Sequence, residues 1–350
     1  MLKSLNSFRL ADEQGKTILA SKKLILTVRF TGLLICLLII TRLVDWNTLL
    51  PVFSLIPVWV LFFSLILGFL RFVLSALRWQ VLNPDPGGEL RTRDYLCYLL
   101  IGAFFSLILP GQLGGDLIRS VYIARECSEH KVSHLLTIGV DRIIGLFSII
   151  VLGTVACILS PQLANQKEYL LTFSVMLLFF VGCCFVSVNQ YFNERLSRIL
   201  ARIPWAGSRL VHVLKHWSQL FGFYKSARIR LVGAFCLSLG VHLMTFIIVY
   251  LFATALQIDL GFWPVCIITS LSVLITSVPI SFGGLGVREL SFVYFLSLYG
   301  VSADSAIALS LCQFGILVVF SLAGAPFVWY GRRSGGTRRA ENSDFLVDQS

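Results

Sequence analysis

The sequence predicts an all-α polytopic membrane protein, with about six full transmembrane helices and two re-entrant helical hairpins arranged as inverted repeats. Three observations predict it. Of 350 residues, 57% are hydrophobic and only 13% are charged, against about 25% charged in an ordinary soluble domain. The mean hydropathy of +0.83 leaves more apolar surface than a water-soluble core can hide. Long apolar runs recur along the chain, and two of them end in the same breaker motif.

The runs are 24–43, 52–78, 95–110, 132–160, 169–189, 231–256, 263–280, 286–299 and 303–330. The turn signals between them are Asn83-Pro-Asp-Pro-Gly-Gly88, Pro110-Gly111, Ser160-Pro161, Trp263-Pro264 and Gly283-Gly284. Residues 1–23 are polar and carry five lysines and arginines, and no small-residue cleavage pattern follows the first run. They read as a retained cytoplasmic tail rather than a signal peptide. Residues 24–331 form the membrane domain, and 332–350 a second cytoplasmic tail.

Lysine and arginine set the orientation, because basic loops stay on the cytoplasmic side. Run 95–110 spans about 24 Å as a helix, short of the roughly 30 Å hydrocarbon core. The segment after it, 111–131, is basic and also belongs inside. A hairpin over 95–131 that enters the membrane, turns at Pro110–Gly115 and returns satisfies both facts. Such a turn survives at depth only under cover of protein or a wet cavity. A second hairpin, 263–299, enters from the outer face. Residues 190–230 carry eight cations and read as a helix lying on the inner surface or as a solvated basic loop. This arrangement places 22 of the 29 lysines and arginines inside. It gives a multi-pass protein of the plasma (inner) membrane with both termini cytoplasmic.

The net charge of +11 therefore points to loop topology and anionic lipid, not nucleic acid. The nine cysteines lie mostly in apolar runs without C-x-x-C or His/Cys spacing. That pattern implies packing rather than a disulfide framework or a metal site. No cofactor is expected.

The repeated motif carries the chemistry. Leu109–Arg119 and Val278–Arg288 both contain P-x-x-x-G-G-x-x-x-R, at Pro110, Gly114, Gly115, Arg119 and at Pro279, Gly283, Gly284, Arg288. Proline ends the descending limb. The glycine pair admits unusual backbone angles and close approach. The helix that restarts has free N–H groups, which favour an anion. Arginine one turn on adds a planar donor fork suited to phosphate. Two such units entering from opposite faces match the inverted repeats that build solute sites near the midplane. Asp116, Asp141, Arg142 and Glu289 are placed to orient these arginines or to gate. Asp141 has Arg119, Arg288 or a mobile proton as possible partners.

Polar stripes at helical spacing run through His134, Asp141, Gly145 and Ser148, through Ser238, His242 and Thr245, and through Ser310, Gln313, Ser321 and Gly324. Helix packing accounts for them. Arg71 and Arg78 share a helix face, and snorkelling to the inner boundary accounts for that pair.

At these residues the chain resembles the lysylphosphatidylglycerol synthase transmembrane-region family of flippase-like proteins. The matching pieces are Leu77-Arg-Trp79, Leu109–Arg119, Asp141-Arg-Ile-Ile-Gly145 and Val278–Glu289. In relatives fused to an aminoacyl-transfer domain, the resemblance implies that the membrane part moves a modified lipid between leaflets. Stand-alone members often accompany envelope lipid or polysaccharide assembly. The synthase activity in the name belongs to a domain outside the matching pieces, so it is not expected here. The family often has Glu where this chain has Asp141, which implies a required carboxylate.

The expectation is a non-enzymatic, flippase-like lipid transport protein of envelope biogenesis. It binds an anionic phospholipid or polyprenyl-phosphate-linked lipid, and translocates it or presents it to an envelope glycosyltransferase or lipid-modifying enzyme. Arg119, Arg288, Gly114, Gly115, Gly283 and Gly284 would form the phosphate site. No ATP-binding P-loop is present, so movement would run downhill or be ion-coupled. The alternatives are an intramembrane transferase using Asp116 or Asp141 as base, and a non-catalytic scaffold.

Overall fold

A computed structural model describes residues 53–54, 56–83, 90–108, 113–126, 131–160, 167–188, 198, 224, 227–278 and 284–328. The expected first span 24–43, both tails, most of 190–230, and Pro110, Pro279 and Gly283 lie outside the described residues. Within them the chain is all-helical: α1 Val58–Val81, α2 Thr92–Ile108, α3 Leu113–Glu126, α4 Lys131–Leu159, α5 Lys167–Val188, α6 Arg228–Ala255, α7 Phe262–Ser277, α8 Val287–Ser297 and α9 Ala303–Ala323.

Among the described residues four helices are long and apolar enough to cross a membrane: α1, α4, α6 and α9 with its continuation to Val328. Their limits follow local chemistry. Extended Pro57 precedes α1, which stops before the Asn83-Pro84 turn because the residue before proline disfavours helix. Ser302 caps α9 by accepting from the Ser305 N–H. Pro264 sits in the first turn of α7, where its missing N–H has no intrahelical partner to lose. Glu289 reaches back to accept from the Gly286 N–H at 2.6 Å, fixing the start of α8.

Of the five other described helices, four form two pairs. Helices α2 and α3 run antiparallel across the short link 109–112, with Tyr98 beside Tyr122 and Gly102 against Gly115. A Cβ on Gly115 would overlap the Gly102 carbonyl oxygen, so two bare backbones touch there. Helices α7 and α8 pair in the same manner, with Ser272 and Ser291 hydroxyls 2.7 Å apart. All four are short, about 17–26 Å at 1.5 Å per residue.

The long helices hold these pairs. Helices α1 and α6 lie antiparallel along their length, and α4 crosses α6 where Ser148 meets Ser238 at 2.6 Å and Gly145 O meets His242 Nε2 at 3.0 Å. The two polar stripes therefore meet as one seam. Helix α9 bridges to both α1 and α2. Gly68 receives Ile316 and Phe320, and Gly324 lies against the Leu100 carbonyl. Cys157 and Cys266 are buried in one apolar cluster with Phe173 and Ile267. The outer faces of α1 and α5 carry exposed Phe62, Phe69, Leu178 and Phe179, as a lipid-facing surface requires.

Beyond the helix ends, Tyr224 packs against Leu82 and donates its hydroxyl to the Leu82 carbonyl, while Arg230 donates to the Asn83 carbonyl at 2.9 Å. These bonds tie the segment before α6 to the end of α1.

Candidate functional site

The first motif is built on α3. Its glycines do not precede the helix as expected. Gly114 and Gly115 lie in the first turn of α3, because the close contact with Gly102 needs a missing side chain there, not a left-handed backbone. Asp116 follows in the same turn and Arg119 one turn later, and the two pair at 3.0 Å.

Arg119 is 5% exposed. Its guanidinium lies over the Trp79 ring, 4.1 Å from the centroid, and reaches Asp141 at 3.5 Å. Trp79 is fixed in turn by an edge-on contact with Tyr95 and by its indole N–H donating to the Thr137 hydroxyl. Four helices thus hold one cation in place.

Asp141, 2% exposed, is the centre of the network. Arg78 Nε donates to it at 2.7 Å, and the same guanidinium donates to Ser238 at 2.8 Å. Snorkelling is therefore not the explanation for Arg78: it turns inward because a buried carboxylate and a hydroxyl receive it. Arg142, at the edge of the network, donates to Asp116 at 2.7 Å. The chain Arg78–Asp141–Arg119–Asp116–Arg142 joins α1, α3 and α4. A network of this kind in an apolar setting needs near-complete pairing, since an unmatched charge is costly there.

A cavity of about 460 Å³ opens beside this network, lined by parts of α1, α2, α3, α4, α6, α7 and α9. The lining includes Gly115, Asp116, Arg119, Asp141 and Arg142 from the expected set. It also includes Arg71 and Arg78, which the sequence assigned to snorkelling, and His242 and Ser321, which it assigned to helix packing. Two charged residues seven positions apart in an apolar run were the available signal for Arg71 and Arg78.

The second motif behaves differently. Gly284 and Gly286 adopt φ of 81° and 82° in a turn ahead of α8, a backbone that favours glycine; Gly283, the other member of the expected pair, lies outside the described residues. Arg288 is buried, pairs with Glu289 beside it, and donates to Ser310 at 3.1 Å. Its guanidinium lies 4.3 Å from the Phe314 centroid. Gly284, Arg288 and Glu289 are absent from the cavity lining. Arg119 and Arg288 thus do not share that space: Arg288 is turned toward α9 by Ser310 and Phe314. Nor is Arg288 the partner of Asp141, which Arg78 and Arg119 occupy.

The family model described as lysylphosphatidylglycerol synthase TM region matches residues 25–324. A UPF0104 membrane protein from Methanothermobacter thermautotrophicus is 25% identical over 291 residues, covering 77% of this chain and 86% of that protein. No solved structure matches the chain. The family match runs through the helices that carry the two glycine motifs and the Arg78–Asp141 pair, and the chain belongs to the lysylphosphatidylglycerol synthase transmembrane-region family.

Proposed function

We propose that the protein binds the phosphate of an anionic phospholipid or polyprenyl-phosphate-linked lipid in this cavity and carries it across, or presents it within, the plasma membrane during envelope biogenesis. The observation that supports the reading is a cavity among apolar helices lined by the guanidinium of Arg119 and three further arginines. Such a lining attracts a planar or tetrahedral anion and repels a cationic headgroup. The acyl or prenyl chains stay in lipid against the exposed apolar faces, while the headgroup occupies the wet space.

The short antiparallel pairs α2–α3 and α7–α8 support a re-entrant reading, since neither member of a pair reaches about 30 Å. The basic segments support cytoplasmic termini. The natural partner is an enzyme that makes or consumes the lipid at one leaflet, such as a glycosyltransferase or lipid-modifying enzyme. The transferase alternative requires a carboxylate free to take a proton, and both Asp116 and Asp141 accept from arginines.

The test is reconstitution into liposomes with a quenchable fluorescent anionic lipid. The protein should accelerate lipid movement between leaflets, and Arg119→Gln should slow it at least tenfold, the loss of about 1.5–3 kcal/mol of charge-assisted bonding. Unchanged movement in R119Q would remove the mechanism. Tight lipid binding without movement would favour presentation.

A further inference from the structure

The cavity holds more positive charge than its own carboxylates match. Four arginines line it, Arg71, Arg78, Arg119 and Arg142, against Asp116 and Asp141. Asp141 is shared by two of these cations, and Asp116 by two. Arg71 stands apart. Among the described residues its guanidinium has no carboxylate or hydrogen-bond partner, and its aromatic contact is its own neighbour Phe72 at 5.4 Å.

Arg119 Nε and Ser321 Oγ also lack a hydrogen-bond partner among the described residues, but both atoms are packed away from the open space and offer a ligand nothing. Arg71 on α1, half-buried in the cavity wall, is the cation there with no counter-charge of its own.

Resting on the lipid-phosphate reading above, we infer that the headgroup is dianionic: a terminal phosphomonoester or diphosphate on a lipid, not a phosphodiester. A terminal phosphate has three non-bridging oxygens, enough to accept from Arg71 as well as from the arginines beside Asp116 and Asp141. It carries close to two negative charges at neutral pH, since its second pKa is about 6, which matches the surplus of two arginines. A phosphodiester brings one charge and two such oxygens. Arg71, outside both glycine motifs, is the residue that separates the two classes.

The experiment uses the purified full-length chain in detergent micelles, with binding read by native mass spectrometry. The probes are phosphatidic acid, its phosphate methyl ester, phosphatidylcholine with the same acyl chains, and glycerol 3-phosphate. Phosphatidic acid should bind at least tenfold tighter than its methyl ester. Arg71→Gln should bring that ratio to within about twofold. Equal affinity of the two lipids in the parent chain overturns the inference, and this comparison requires no variant. A preference that survives R71Q in a folded protein also overturns it.

The outcomes separate the two levels of the argument. If both anionic lipids outbind phosphatidylcholine, and R119Q weakens both, but neither is favoured, the dianionic assignment fails and the anionic-lipid reading stands. If neither outbinds phosphatidylcholine, both fail. Glycerol 3-phosphate binding as tightly as phosphatidic acid would overturn the lipid assignment in favour of a soluble phosphomonoester.

Discussion

Asp141→Asn is the perturbation that most directly tests the buried network. In the native structure this carboxylate receives Arg78 at 2.7 Å and Arg119 at 3.5 Å, and all three side chains are nearly excluded from solvent. Asparagine keeps the size and removes the charge. Arg78 retains Ser238 and Arg119 retains Asp116, but the cluster then holds cations with one counter-charge fewer. Breaking a buried pair by removing one partner costs about 3–5 kcal/mol. At about 1–2 °C per kcal/mol for a chain of 350 residues, the apparent unfolding temperature should fall by roughly 5 °C. The assay is thermal unfolding in one detergent, followed by tryptophan fluorescence at a fixed scan rate, because such unfolding is often irreversible. Asp141→Glu, which keeps the charge and adds one methylene, should fall less. Removing one stranded cation as well, in Asp141→Asn with Arg78→Met, should recover part of the loss, since residues in one network couple by about 0.5–3 kcal/mol. An Asn variant within about 1 °C of the parent would refute the claim that charge pairing holds this site.

Two other expectations rest on separate parts of the fold. Gly115→Ala should destabilise by about 1–3 kcal/mol or more, because the new Cβ meets the Gly102 backbone and Ser106; Gly182→Ala, with nothing within 4 Å, is the control in the same unfolding assay. Burial pushes the Tyr224 hydroxyl well above its usual range. The proton it keeps in the folded state is lost more readily from the unfolded chain, near pH 10. Its contribution to stability is therefore full below about pH 10 and declines above it. Tyr224→Phe should lower stability by about 1 kcal/mol at pH 7 and flatten that alkaline decline, checked by unfolding across pH 7–11.

The two glycine motifs look alike in sequence and serve differently in the structure. In the first, the glycines lie inside a helix, and a second glycine backbone comes against them at Gly102. In the second, Gly284 turns the chain with positive φ. The letters P-x-x-x-G-G-x-x-x-R permit either use, since glycine serves both left-handed turns and close approach. The same divergence separates the arginines. Arg119 lies on Trp79 at the cavity, whereas Arg288 is held by Glu289, Ser310 and Phe314 away from it.

Composition and hydrophobic run length determined that the chain is helical and embedded in a membrane, because an unbroken apolar run of about 20 residues satisfies its own backbone in hydrocarbon as a helix, whereas barrel strands are short and alternate. Spacing also marked the short helices and the carboxylate at Asp141. Only the tertiary structure decided which charges meet. Arg78 finds Asp141 from 63 positions away and Ser238 from 160, and no local periodicity encodes such distances. It also decided that Arg71 lines a cavity with no carboxylate partner among the described residues. Pairing in an apolar interior is settled by which helices cross and at what depth, and crossing depth is a property of packed side chains from distant segments.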